Sequence, residues 1–208
     1  MTMTNRRLST LLIGTRNPGK IREIKEALNE LPVTFRTLEE LGISQEPQEN
    51  GLTYEENASI KAEFYSSIGG CPALADDSGL EVFALGNRPG LYSARYGGFR
   101  LADSERCDLL LSEMKSVSDR RAMFWCAFAL TYDGITRTVT GQCSGTIAIE
   151  PAGGEGFGFD PIFIPDGFDL TFAQLPAEVK ATISHRARAL IGVKQLLQSI
   201  LGYGCHLP

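Results

Sequence analysis

Two adjacent acids, Asp76 and Asp77, are the side chains of this sequence best suited to chemistry. They stand in the run Ala-Asp-Asp-Ser-Gly-Leu, and apolar residues flank that run on both sides. Carboxylates side by side at the end of a buried strand repel each other and lose their hydration. A Mg²⁺ ion would remove both penalties, because it prefers a few carboxylate oxygens together with substrate phosphates. The alternative is an Asp-Asp-Ser-Gly turn whose side chains bond their own backbone.

A second candidate site follows the first apolar run of the chain. Residues 8–15 are predicted to form a buried strand, and a helix is predicted from Pro18 to about Leu31. The segment that joins them comprises Thr15, Arg16, Asn17, Pro18, Gly19 and Lys20. A glycine that allows close backbone approach, a lysine cation and the N–H groups of a helix start together suit a triphosphate. The spacing is not that of a P-loop, and a capped turn with a solvated lysine is the alternative.

A third candidate is the loop segment formed by Phe157, Gly158, Phe159 and Asp160. Its glycines would let an aromatic ring stand clear of the backbone and stack on a flat base. Asp160 could then accept a hydrogen bond from the base or the ribose. A loop anchored only by aromatic packing is the alternative.

Two more candidates lie at predicted helix starts. Ser184, His185 and Arg186, shortly after Lys180, combine N–H donors, an imidazole and a guanidinium, which suits recognition of an anion or a carbonyl. A basic surface turn is the alternative there. Glu56 lies in the first turn of a helix predicted over residues 53–68. It either completes a capping box or helps to hold the metal ion.

The remaining pattern predicts an α/β chain with a mixed sheet. Asp133-Gly134 predicts a tight turn between two long strands, and so a hairpin. The other predicted strands are residues 33–38, 71–75, 80–85 and 162–164, and the other predicted helices are residues 104–114 and 184–201. Because a long hairpin interrupts the alternation of strands and helices, a fully parallel sheet is disfavoured.

Composition excludes several classes of protein. The net charge of −5 in 208 residues leaves no basic surplus for a nucleic-acid polymer. Five widely spaced cysteines, including Cys205, and only two histidines, one of them His206, argue against a disulfide framework and a zinc site. No segment is long and apolar enough for a membrane span or a signal peptide, so we expect a cytoplasmic protein.

Together these motifs resemble those of the inosine triphosphate pyrophosphatase family, which removes noncanonical purine nucleoside triphosphates. The resemblance runs from about Leu11 to about Leu190. It rests on residues 15–20, 56–58, 75–80, 89–96, 156–161 and 183–186. The resemblance implies hydrolysis of ITP, dITP and XTP to the monophosphate and pyrophosphate with Mg²⁺, and a homodimer. It also implies an α/β fold with a mixed, elongated central β-sheet flanked by helices. In that fold residues 1–208 form a single domain of two lobes with an active-site cleft.

The resemblance also implies roles for individual residues. By position, Asp77 looks like the catalytic proton acceptor, and Asp77, Glu56 and Asp76 look like the metal ligands. A water oriented by Asp77 would attack the α-phosphorus, with Lys20 and Lys180 stabilising the phosphate oxygens. The residues that look like substrate contacts are Thr15, Arg16, Asn17, Pro18, Gly19, Lys20, Ser78, Phe157, Gly158, Phe159, Asp160, Lys180, His185 and Arg186.

Two positions depart from the family pattern, which usually has Gly at Arg16 and Asn at Ala181. We expect Arg16 to crowd the phosphates or to add a contact, and Ala181 to remove an amide that braces the loop. Weaker binding or altered selectivity should follow, with the chemistry retained. Two alternative functions are a Maf-like pyrophosphatase for modified pyrimidine triphosphates and a nucleotide sensor without turnover.

Overall fold

The computed structural model of the protein describes residues 8–202, so Cys205 and His206 lie outside the described residues. Its helices and strands agree in type with most of the predicted ones. In chain order they are β1 (Thr10–Ile13), α1 (Pro18–Ala27), β2 (Thr34–Thr37), α2 (Tyr54–Gly69), β3 (Ala73–Val82), β4 (Arg88–Pro89), α3 (Asp103–Glu113), β5 (Arg121–Tyr132), β6 (Ile135–Ile147), β7 (Phe163–Pro165), α4 (Ala177–Ile183) and α5 (His185–Leu201).

The strands form one mixed sheet, as the sequence predicts. Their hydrogen-bonded order is β2-β1-β3-β5-β6-β7, and β4 pairs with β3. Strand β1 runs parallel to β2 and to β3, whereas the β3–β4 and β6–β7 pairs are antiparallel. The predicted hairpin joins β5 and β6. Its turn residues Asp133 and Gly134 have φ angles of 49° and 75°, and a two-residue hairpin turn of this kind requires such positive values. The mixed α/β class is therefore confirmed.

The chain divides into two compact units. The first comprises the residues up to Asp76, residues 127–139 and the residues from Ala189 onward, and the second comprises residues 77–126 and 140–188. Strands β3, β5 and β6 contribute residues to both. The organisation of residues 1–208 as a single domain stays a prediction.

Strand β3 corrects the predicted surroundings of the acid pair. The sequence predicts a strand that ends at Ala75 and a second over residues 80–85, but β3 continues from Ala73 to Val82 with both acids inside it. The turn alternative is also wrong. A contact outside the local sequence helps to keep this segment extended, because the Leu80 N–H donates to Ser93 Oγ at 2.9 Å. Successive side chains of a strand point to opposite faces, so the two carboxylates diverge.

Each unit has its own apolar core. In the first unit, Leu12 and Ala73 of the sheet pack with Leu38, Ile43 and Tyr65. The larger core of the second unit includes an aromatic cluster. Its members are Phe124, Phe159, Phe163 and Phe172. This cluster supports the glycine-rich loop, for which the sequence predicts stacking on a base, and the start of α5, for which it predicts recognition of an anion or a carbonyl.

No helix within residues 8–202 is both long enough and apolar enough to cross a membrane.

Candidate active site

The loop after β1 begins at a position where only glycine fits. The Gly14 N–H donates to the Leu74 carbonyl oxygen at 2.7 Å, so the loop leaves the sheet beside β3. A Cβ atom on Gly14 would lie 2.8 Å from the Tyr65 ring and 3.0 Å from the Ala75 Cβ. Because real Cβ atoms avoid such distances, a larger residue would push the loop away from the strand that carries the acid pair.

Helix α1 then begins as the sequence predicts. Asn17 is its N-cap, and its side-chain oxygen accepts a hydrogen bond from the Lys20 N–H at 3.0 Å. Pro18 takes the first helical position, where its missing N–H costs nothing. The N–H of Asn17 is in turn 3.3 Å from Thr15 Oγ1. The loop is therefore ordered by its own side chains and ends at the positive end of a helix dipole.

The Lys20 side chain reaches the acid pair. Its Nζ lies 2.7 Å from Asp76 Oδ2, the Asp76 side chain is fully buried and that of Lys20 is 16 % exposed. The alternative of a solvated lysine is therefore wrong. A charge-assisted bond to a buried carboxylate fixes the ammonium group in place, and an ammonium has three N–H donors, so it can hold Asp76 and a phosphate oxygen together.

Glu56 serves the start of α2. Its N–H donates to the side chain of the N-cap residue Thr53, at 3.1 Å from Oγ1. Its Oε2 accepts from the Leu52 N–H at 2.6 Å rather than from the Thr53 N–H of a strict capping box, so Glu56 supports the helix start in a variant of the predicted arrangement. The buried Asn57 closes the same turn by accepting from the Gly51 N–H at 2.8 Å. Across residues 8–202 no three His, Cys, Asp or Glu side chains are grouped closely enough to hold a metal ion by themselves. The metal role of Glu56 stays a prediction.

Arg16 turns towards the segment of residues 43–46. Its Nε lies 2.9 Å from Glu46 Oε1, its Nη1 lies 3.0 Å from the Ile43 carbonyl oxygen, and its Nη2 lies 3.2 Å from the Gln45 carbonyl oxygen. Each nitrogen of the guanidinium thus has a partner on that segment. The residue therefore braces the polar connection between β2 and α2.

We expect Arg16→Ala to lower the unfolding free energy by about 1–2 kcal/mol while changing the KM for a nucleoside triphosphate less than threefold. Its exposed ion pair contributes little, and its two bonds to carbonyl oxygens contribute about 1 kcal/mol each. Urea unfolding and steady-state kinetics check both parts. The matched control is Arg36→Ala, because Arg36 pairs with Glu40 at a similar exposure. A tenfold rise in KM for the Arg16 variant alone would make Arg16 a phosphate contact after all.

In the second unit, Asp160 and Lys180 form a buried ion pair. Lys180 Nζ lies 2.7 Å from Asp160 Oδ2. Lys180 is 8 % exposed and Asp160 is 3 % exposed. Burial raises the pKa of Asp160, whereas the ammonium of Lys180 lowers that pKa part of the way back. The sequence did not predict helix α4, which places Lys180 in the interior. The surface-turn alternative is therefore wrong for this lysine.

The two phenylalanines of the glycine-rich loop differ in their surroundings. Phe159 is 4 % exposed and packs edge-on against Tyr96, with ring centroids 6.4 Å apart, so it anchors the loop. Phe157 is only half-buried, and its ring centroid lies 4.9 Å from Lys180 Nζ and 5.0 Å from Arg186 Cζ. Of the two rings, Phe157 is the one placed among cations.

The start of α5 holds an imidazole and a guanidinium in contact. Ser184 is the predicted N-cap, and its Oγ accepts from the Ala187 N–H at 3.1 Å. The His185 ring stacks on Phe124 at 4.5 Å with an interplanar angle of 8°. Arg186 Nη1 lies 3.2 Å from His185 Nε2. Because a guanidinium only donates, this contact assigns Nε2 as the acceptor, and the proton of a neutral ring to Nδ1.

The structure thus brings Lys20 to Asp76 in the first unit, and it brings five of the predicted site residues together in the second unit. That second group consists of Phe157, Asp160, Lys180, His185 and Arg186. It also reveals two contacts of the glycine-rich loop that the sequence did not single out. They come from Asp103 and Cys107 of α3, whose pattern shows only an acid in the first helical turn and a core cysteine.

Comparison with known proteins identifies similar chains. The model of the Ham1 family matches residues 11–196. A protein of Bacillus subtilis named dITP/XTP pyrophosphatase is 44 % identical over 191 residues, which cover 90 % of this chain and 96 % of that one. One of Geobacter sulfurreducens with the same name is 46 % identical over 193 residues, covering 91 % and 97 %. The structure of the Staphylococcus aureus Ham1 protein superposes with a TM-score of 0.83 at 38 % identity, covering 92 % of this chain and 99 % of that one.

Proposed function

The chain belongs to the Ham1 family, and we propose that it hydrolyses ITP, dITP and XTP to the nucleoside monophosphate and pyrophosphate. Removal of such nucleotides would cleanse the pool from which nucleic acids are made. The observation that carries the proposal is the buried ion pair of Lys20 and Asp76 beside the start of α1. An ammonium fixed beside a helix start suits a polyanion. Relatives that are 44 % and 46 % identical to this chain over most of its length are named dITP/XTP pyrophosphatases.

The residues of the first unit suit the triphosphate. Backbone N–H groups at the start of α1 and the ammonium of Lys20 favour phosphate oxygens. The family pattern assigns contacts there to residues 15–20, although the Arg16 side chain bonds to the segment of residues 43–46 instead. We assign proton acceptance from the attacking water to Asp77, which follows Asp76 on β3 and is 8 % exposed. Ser78, the next residue, is assigned to the substrate as well.

The carboxylates fit a role in metal binding only in part. Asp76, Asp77 and Glu56 offer the hard oxygen atoms that Mg²⁺ prefers, and Mg²⁺ commonly uses one or two carboxylates with substrate phosphates and water. When bound, the ion would offset negative charge on the phosphate oxygens. The chain itself orients the water and holds the leaving group.

The residues of the second unit suit the base. Phe157 offers an aromatic face, and Arg186 offers donors to the 6-oxo group that hypoxanthine and xanthine carry where adenine carries an amino group. Phe159 and Asp160 support these contacts from the interior. A donor left unpaired by adenine costs about 1–3 kcal/mol, which discriminates against ATP.

Arg186→Ala should therefore reduce the preference for ITP over ATP. We expect the ratio of the two kcat/KM values to fall roughly 5- to 100-fold, the range that one unpaired buried donor produces. Kinetics with both nucleotides measure the ratio. Arg188→Ala is the matched control, since this exposed arginine binds the Gln142 carbonyl oxygen at 2.9 Å. An unchanged ratio in the Arg186 variant would remove Arg186 from base selection.

Product analysis tests the function itself. The protein is incubated with Mg²⁺ and ITP, XTP, dITP, GTP, ATP or dTTP, and the products are separated by anion exchange. Monophosphate and pyrophosphate from ITP and XTP, with little from ATP, support the proposal. Diphosphate and phosphate would move the attack to the terminal phosphorus, and turnover of modified pyrimidine triphosphates alone would favour the Maf-like reading. Thermal stabilisation by ITP without products would favour a sensor.

Two further assignments rest on the family pattern. We infer a homodimer, which light scattering after gel filtration would detect as twice the chain mass. We also infer a cytoplasmic location, because the proposed substrates belong to the cytoplasmic nucleotide pool.

A further inference from the structure

Two different carboxylates hold the amide groups on either side of the Phe157 Cα. The Phe157 N–H donates to Asp160 Oδ2 at 2.9 Å. The Gly158 N–H donates to Asp103 Oδ2 at 2.7 Å. Since each amide is planar, fixing both of them fixes the two backbone torsions of Phe157. The direction of its Cα–Cβ bond, from which the ring extends, is therefore set from both sides.

Cys107 adds a third restraint to the same loop. Its Sγ lies 3.4 Å from the Gly158 carbonyl oxygen, so both polar groups of Gly158 are held by α3. Cys107 follows Asp103 by four residues, which places both side chains on one face of the helix. Burial, and to a lesser degree the nearby charge of Asp103, raise the pKa of the Cys107 thiol to about 12. The thiol therefore keeps its proton near neutral pH and can donate.

The loop needs such restraints because its own residues prefer no single conformation. Gly156 and Gly158 have φ angles of 80° and 63°, which glycine adopts as readily as negative values. Glycine also loses more backbone entropy than other residues when it is ordered. External contacts must therefore select the observed conformation. The contacts from Asp103 and Cys107 are the ones that hold the backbone of Gly158 from a separate helix, α3.

We propose that Asp103 and Cys107 are positioning residues for recognition of the nucleobase. By holding Gly158, they keep the Phe157 ring beside the cations at the start of α5 and in α4. The inference rests on the proposed function, which assigns Phe157 to the base. Both residues contact the loop at Gly158, and each acts through the loop.

The test is steady-state kinetics with ITP for Cys107→Ala and Asp103→Ala. We expect KM to rise roughly fivefold for the first variant and roughly tenfold for the second, since the second loses a charge-assisted bond. The kcat should stay within about twofold, because the groups at the phosphorus are untouched. The inhibition constant of pyrophosphate should stay unchanged, because pyrophosphate has no base.

Conservative variants separate positioning from general damage. Cys107→Ser keeps a donor and should return KM to within about twofold of the parent, and Asp103→Asn keeps an acceptor and should recover part of the loss. A merely structural role would lower the melting temperature and kcat without changing KM. An unchanged KM in both alanine variants, or a serine variant as impaired as the alanine one, would overturn the inference. Failure of the unmodified protein to release pyrophosphate from ITP would overturn the proposed function, and the inference with it.

Discussion

We expect Asp77→Asn to lower the kcat for ITP by roughly 10²–10⁴-fold, which is the range for loss of a general base. Asparagine has nearly the same shape but cannot accept the proton of the attacking water. Asp77 is 8 % exposed within β3, so the substitution changes charge in a shielded place without changing volume. Release of pyrophosphate, followed with a coupled assay, measures the effect.

Circular dichroism and thermal unfolding should show that the Asp77→Asn variant keeps its fold. The matched control is Asp169→Asn, the same chemical change at an exposed position, and it should retain the parent turnover. If the Asp77 variant turned over within tenfold of the parent, Asp77 would not be the base. Asp76, which holds Lys20, would then be the only one of the two adjacent acids with an assigned role.

Lys180→Met should cost about 3–5 kcal/mol of unfolding free energy at pH 8, because it leaves Asp160 buried without its ion-pair partner. The methionine keeps the volume of the lysine stem, so lost packing contributes little. Lys194→Met is the control. Lys194 forms an ion pair with Glu30, whose side chain is 74 % exposed. Exposed ion pairs of this kind contribute less than about 1 kcal/mol. Urea unfolding of both variants gives the comparison.

The cost of Lys180→Met should depend on pH with a defined sign. Burial raises the pKa of Asp160 from 3.8, and loss of Lys180 removes the main opposing effect, so the folded pKa rises further. A carboxyl whose folded pKa is raised stabilises the fold below its unfolded pKa. That contribution is lost as the pH rises through the folded pKa. The variant should therefore approach the parent near pH 4 and diverge from it towards pH 8. A difference that stays constant over this range would exclude Asp160 as its cause.

Local chemistry made part of the fold predictable. Asn17 and Pro18 mark the start of α1, Asp133 and Gly134 mark the hairpin turn, and Ser184 caps α5. In each case the residue acts on its immediate backbone neighbours. The sequence alone therefore contains the physical cause. Some motifs of the family pattern also fall at helix starts, namely residues 15–20, 56–58 and 183–186.

Contacts between distant residues explain what the sequence could not show. The segment around Asp76 contains Ser-Gly, which favours a turn locally, yet Ser93 helps to keep β3 extended. Helix α4 has seven residues and no side-chain cap, so no local signal precedes it. The partners of Lys180 and Arg16 lie 20 to 30 residues away along the chain. Pairing at such separations depends on the folded arrangement.

The discontinuous make-up of the two units has a consequence for biosynthesis. The first unit combines the residues up to Asp76 with α5 from Ala189 onward, and Lys194 pairs with Glu30 across 164 positions. During synthesis, all segments of the second unit therefore leave the ribosome before the part of α5 that completes the first unit. Contacts between residues so far apart in the sequence slow folding, because the intervening chain must first close a long loop. The segment of residues 15–20 thus belongs to the unit that is completed last.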